Sequence, residues 1–454
     1  MDNQRRSFLG QSAALVGGLA LAEHSLTAKD ADKIEVLDPR MRVPMSFIID
    51  DSTCLVNMGH FCLPQFATAW PKRKVYQRNW KTWSREIPDA FVREFGEWCA
   101  QHDVKGKYSV VPYPCCVGWL DRVLPGWSRR ELQDSIKLVR NLLLPNWDIH
   151  PEMITHTRVI DLKTGRPMEK ISAATMENSY PRVKKSVDEL TAYLAYALKI
   201  LRNVGLPCEG ITTPGGFGNL VKSELSLAVQ EAVRDVFKAE LPHYFKYVSL
   251  GKENTEPKLE HVKGVGTNDL RLTVNVPAGT GDWFGGWTGV RRSEGHRYCN
   301  ADASQGRMVE LIKAKKPAVM LCHWPGMYCN GRKTGFHDFQ KVVTTLHGRF
   351  KDETIWMKVS EIARYWAARK LTKIRRQAAT IEFDAPLASN LFTIRCPSPT
   401  LPKSLTLHIG KKQKPLKQVE KAHQLKPNTW LRQGDAFVLC MNLPKGKSSV
   451  RISG

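Results

Sequence analysis

"SFIIDDSTCLVN", residues 46–57, decides how the rest of the chain is read. The apolar run Phe47-Ile48-Ile49 meets two adjacent carboxylates, Asp50 and Asp51. An unbroken apolar run reads as a strand covered on both faces, the habit of parallel sheets. Like charges side by side repel, unless a cation offsets them or one serves as a base beside a metal. A strand over 45–50 therefore points to a polar site at its C-terminal end.

Similar elements recur along the chain. "KGKYSVVPYP" (105–114), "CEGITT" (208–213), "DLRLTVNVP" (269–277) and "PAVMLCHWP" (317–325) read as further buried strands. "MITHTRVIDLKTGRP" (153–167) reads as a strand, a turn and a return. Between them, Asp89 to Gln101 has helical apolar spacing through Ala90, Phe91, Phe95 and Trp98. Residues 128–144 and Ser186 to Val204 are helices opened by capping boxes, Ser128 with Glu131 and Ser186 with Glu189. Two more helices span 306–316 and 360–370. Strands alternating with helices predict an α/β fold with parallel strands under an outer layer of helices. Residues 23–44 read as a linker and 51–83 as a long, aromatic-rich loop. After about 372 only short strands and turns follow, which predicts a small all-β domain of the sandwich kind over 371–454.

The chain has 454 residues and a formal charge of +24. From Arg369 to the end there are 17 Lys and Arg against 4 acids, a tail that suits an anionic polymer. No RNA-module motif or zinc-finger spacing accompanies it, so nucleic acid is the weaker partner class. Arg5-Arg6 before Phe8-Leu9, with Ala20-Leu21-Ala22 after a weakly apolar stretch, is similar to a twin-arginine secretion signal over residues 1–22. Exported, periplasmic or extracellular placement follows from that reading, with no later segment of membrane length. Eleven cysteines without a CxxC pair read mostly as buried small hydrophobes.

The polar residues gather at strand ends. Asp50 and Asp51 follow the first strand, His156 the strand around Met153, and Pro214-Gly215-Gly216 the strand 208–213. Asp282-Trp283 follow Leu272–Val276, and His323 ends "AVMLCH". In a parallel α/β barrel that is the catalytic face.

This order, Asp-Asp, Glu-x-x-x-His-Thr, Pro-Gly, Asp-Trp, Leu-x-His and a final Ser-Glu-Ile-Ala helix, resembles the polysaccharide deacetylases of carbohydrate esterase family four. The resemblance covers residues 45–368. It implies a distorted (β/α) barrel over 45–370 that removes acetyl groups from a polysaccharide or cell-wall glycan with a divalent metal, usually zinc. It implies Asp50 as general base, Asp51 and His156 as metal ligands, His323 as general acid and Asp282 as the acid that orients it. The family's second metal histidine is replaced, because Val159 and Ile160 stand there. His150, Glu152 or His60 is left to complete the set. His150 lies an even six residues before His156, on one face of a continuous strand. The family's base-tuning Arg is missing too, with Thr212 and Thr213 in its region. Trp283, Trp324 and Tyr328, with Trp287 and Trp119, would stack on sugar faces, and Pro214 and Gly215 would cradle substrate. Two other readings stay open: a glycoside hydrolase using Asp50 or Asp51 with Asp282, and a carbohydrate-binding protein without catalysis.

Overall fold

The computed structural model describes residues 34–251, 254–398 and 400–454. The Arg5-Arg6 signal reading lies outside these residues. Seven strands carry the centre of the fold: Val43–Asp50, Gly106–Ser109, Trp147–His150, Gly210–Thr212, His243–Phe245, Arg271–Asn275 and Ala318–His323. Neighbours in this series pair in parallel. A parallel bridge between Glu152 and Thr212 spans the third and fourth, and one between Asp282 and Leu321 spans the sixth and seventh. The seventh strand pairs back onto the first, with His323 opposite Asp50. Pairing thus runs round in chain order and returns to its start.

Every residue of Val43–Asp50 is buried, as its apolar run predicts. Helices Asp89–Gln101, Arg129–Leu138 and Val187–Asn203 form where expected, and both capping boxes are made. Helices Arg307–Lys313 and Val359–Leu371 also match the reading. Among the described residues no helix is long and apolar enough to cross a membrane.

Several expectations are corrected. The 51–83 stretch contains the helix Met58–Ala69, whose Asn57 cap accepts a hydrogen bond from the Gly59 N–H. Pro64 within that helix and the turn-forming residues around it masked its period. Helices Lys222–Phe237 and Thr334–Phe350 were not foreseen. The strand placed around Met153 ends at His150 instead. Pro151 breaks it, and the chain loops until the short hairpin Ile160–Asp161 with Arg166–Pro167.

Of the 23–44 linker the structure describes residues 34–44, and within it Glu35–Val36 pairs antiparallel with Ser389–Pro397. With the strands after residue 372 it forms one hydrogen-bonded run of nine strands. On one face that run shares its apolar packing with the central fold. Phe383, Phe392 and Leu439 pack in one apolar cluster with Ile48, Val274 and Val319 of the central strands and Trp366 of the last helix.

Candidate active site

The site is built from loops whose backbone is unusual. Asp51, the first residue past its strand, has φ 56°, and His156 has φ 63°. Non-glycine residues in this left-handed region cost roughly 1–2 kcal/mol each, so something must hold them. For His156 the holder is Glu177, which the sequence reading did not single out. Its buried carboxylate accepts hydrogen bonds from the backbone N–H groups of Ile154 (3.2 Å), Thr155 (3.1 Å) and His156 (2.5 Å), and from the Tyr193 hydroxyl (2.5 Å). Burial pushes this carboxyl up to about 7, against the pull of those donors. Glu177→Gln turns an amide N–H₂ toward donors. It is expected to cost about 1–3 kcal/mol in denaturant unfolding; an unchanged midpoint would mean that Glu177 does not hold the loop.

The loop brings His156 to the Asp pair. His156 Nε2 lies 2.7 Å from Asp51 Oδ1 and 3.3 Å from Glu152 Oε1. Glu152 Oε2 accepts the Asp51 backbone N–H at 2.8 Å. All three side chains are buried, and their ligand-type atoms lie within 4.8 Å of one another. Among the described residues the close partner of Asp51 Oδ1 is His156, as an ion pair. Burial opposes charge on His156, but the Asp51 and Glu152 carboxylates outweigh it and raise the imidazole well above its ordinary value. Burial likewise opposes charge on Glu152, but His156, Lys107 and the Asp51 N–H hold its carboxyl down to about 2. Two carboxylates converging on one ring nitrogen form a pocket for positive charge, and the donor set suits a divalent cation.

Asp50 takes a different partner. Its carboxylate is ion-paired to Lys107, whose ammonium also donates to the Ile49 carbonyl (3.0 Å) and Ser109 Oγ (2.9 Å). The Lys107 side chain is 0% exposed. Burial pushes Asp50 up to about 6, with Lys107 opposing, Glu152 adding and His323 opposing. Lys107 occupies the second strand in a run that read simply as buried, and went unnoticed. On the opposite side of Asp50, His323 Nδ1 bonds Asp282 Oδ2 at 2.7 Å. Burial lowers His323, but the Asp282 bond and the charges of Asp51, Asp282 and Asp50 outweigh it and lift the imidazole to about 10. His323 is the most open of these groups, with 24% of its side chain exposed.

The remaining site residues separate. His150 Nε2 sits 2.9 Å from His243 Nε2, in a second group with Asp148. With the strand ending at His150, the shared face with His156 does not exist. His60 bonds the Trp83 carbonyl through Nδ1. Trp324 is fully buried against Phe91, Phe95 and Tyr108, so it presents no face to a sugar. Tyr328 packs on Phe91. Trp283 is half-buried under the Arg297 guanidinium. Pro214 is buried, while Gly215 is exposed beside Asn178. Trp119 stacks on Tyr113. Trp287 is half-buried and lies beside Phe66, which also neighbours His156.

No protein-family model and no curated protein matches this chain. Among solved structures, a candidate glycoside hydrolase/deacetylase from Parabacteroides distasonis is 12% identical, with TM-score 0.39, over 78% of this chain and 81% of its own. The Thermotoga maritima α-fucosidase in complex with fucose is 9% identical, with TM-score 0.29, over 91% and 96%. The catalytic domain of the GH30 xylanase C from Talaromyces cellulolyticus is 7% identical, with TM-score 0.26, over 92% and 99%. Likenesses this distant carry no argument about the chemistry, which rests on the residues of this chain.

Proposed function

We propose that this chain is a metal-dependent hydrolase that removes acetyl groups from a glycan, built on a distorted (β/α) barrel over residues 45–370. The observation that carries the reading is the convergence of two buried carboxylates on one ring nitrogen, with Asp51 Oδ1 2.7 Å and Glu152 Oε1 3.3 Å from His156 Nε2. Two buried carboxylates this close repel each other, and a cation shared with His156 offsets both. Glu152 thus stands in for the family's second histidine. The resulting set, two carboxylates and one imidazole, suits zinc and, being richer in oxygen, manganese.

When bound, the cation supplies Lewis-acid polarisation of the acyl group and of water. Asp50 accepts the proton of the attacking water, and Lys107 keeps that carboxylate ionised and fixed. Lys107 does from the second strand what the family's missing Arg does elsewhere. Asp282 holds His323 by Nδ1, which leaves Nε2 to donate a proton to the departing nitrogen or oxygen. The glycosidase reading is less favoured, since Asp50 is tied to Lys107 and Asp282 to His323.

The strands after residue 371 complete the proposal as an anchoring region. Lys412, Lys414 and Lys417 are exposed along Lys412–Gln418 and suit an anionic polymer such as a wall glycan. Export by the Arg5-Arg6 signal fits that substrate.

Metal analysis tests the reading. The purified chain is expected to hold about one divalent ion, and Asp51→Ala, Glu152→Ala and His156→Ala each to weaken binding by about tenfold or more. Metal content unchanged in all three would remove the mechanism.

A further inference from the structure

Behind His156, on the side away from the carboxylates, lie two sulfurs. Cys62 Sγ is 3.1 Å from Cys115 Sγ and 3.9 Å from His156 Nδ1. Non-bonded heavy atoms reach their optimum at about 3.5–4.0 Å, so the two sulfurs are already closer than ordinary packing places them. A small rotation of either side chain brings them to the ~2.05 Å of a covalent bond. The two come from separate elements: Cys62 from helix Met58–Ala69 and Cys115 from the turn Pro114–Cys116, 53 residues on. The Cys115 backbone is held at φ 49°, and its N–H donates to the Thr155 carbonyl, one residue before His156. The turn, the His156 loop and the helix therefore meet at this sulfur pair.

We infer that Cys62 and Cys115 are a dithiol–disulfide couple whose closure loosens the hold of His156 on its cation. The link to the cation rests on the function proposed above; the cross-link itself does not. A ring that ligates through Nε2 carries its proton on Nδ1, and that proton needs an acceptor to fix the ring. Cys62 Sγ is the atom placed to accept it. Closing the bond draws that sulfur toward Cys115 and away from the imidazole. The reaction is thiol–disulfide exchange with a low-molecular-weight disulfide. One cysteine thiolate attacks it and expels one small thiol, and the second cysteine attacks the mixed disulfide and expels the other. Two protein thiols are oxidised and one small disulfide is reduced to two thiols. Cys62 and Cys115 are only 1% and 3% exposed, so exchange proceeds through local opening and is slow from the closed fold.

The full chain is brought to equilibrium in glutathione buffers of graded ratio, quenched in acid, unfolded and alkylated. The oxidised end is expected to show nine thiols, two fewer than the eleven in the sequence. Peptide mapping should find Cys62 joined to Cys115. Cys62→Ser should keep its ten thiols throughout. Zinc binding, measured directly, is expected to be about tenfold weaker in the disulfide form. Eleven thiols at every ratio, or a bridge between other cysteines, would overturn the proposal. A Cys62–Cys115 bridge with unchanged zinc affinity would overturn its coupling to His156. No zinc binding in either form, with the bridge present, would instead count against the proposed function.

Discussion

His323→Ala is expected to lose about 10²–10⁴-fold in kcat on an N-acetylated sugar and far less on an aryl acetate. The contrast follows from the leaving groups. An amine departs only when protonated, whereas a phenolate departs without help. His323 is placed for that proton, with Nδ1 bonded to Asp282 at 2.7 Å and its backbone opposite Asp50 in the sheet register. Asp282→Asn should show the same contrast more weakly, since it removes the orienting charge and leaves the ring. Metal content should not change in either variant, because neither residue belongs to the Asp51, Glu152 and His156 group. Equal losses on both substrates would mean that His323 shapes the site rather than protonating the leaving group.

Lys107→Met is expected to cost about 3–5 kcal/mol of stability at pH 8, the usual consequence of breaking a buried ion pair. The deficit depends on pH in a definite direction. Burial already pushes Asp50 up to about 6 while Lys107 opposes it, so removing the lysine lifts it further. A carboxyl whose folded value lies above its unfolded value binds more protons in the folded state. Stability then falls as pH rises through the interval between the two values. The variant should therefore sit closest to the native protein near pH 5 and furthest from it near pH 8. The acid limb of kcat/KM should move to higher pH, because the base must be ionised to work. Asp50→Asn with Lys107→Met should recover much of the stability and none of the turnover. A pH-independent deficit would mean that the lysine contributes packing alone.

Much of this site was legible because chemistry at strand ends leaves local marks. Asp50, Asp51, Asp282 and His323 each follow an apolar run that the structure confirms as a strand. Two helices carried a written start, Ser128 with Glu131 and Ser186 with Glu189, while Asp89–Gln101 and Arg307–Lys313 were read without a side-chain cap from their apolar spacing. Helix Lys222–Phe237 begins after Val221, and Thr334–Phe350 after Lys333 at φ 56°, neither with a side-chain cap, so neither announced itself. Glu152 was weighed against His150 and passed over, because the choice depends on where a strand stops. Pro151 stops it one residue after His150. Lys107 and Glu177 were missed for a common reason. Each is a charged residue buried by partners distant in sequence, Asp50 at 57 residues and His156 at 21, and nothing in its own neighbourhood signals that company.

The pairing of Glu35–Val36 with Ile394 and Arg395 sets a timetable for synthesis. A chain emerging from the ribosome usually settles its early part first. Here the first strand among the described residues has no ladder partner until some 360 residues later have been made. The apolar side of the first central strand likewise waits, since Ile48 packs in the same cluster as Phe392 and Leu439. A nascent chain arrested near residue 370 would carry the whole proposed catalytic apparatus with that flank exposed to water.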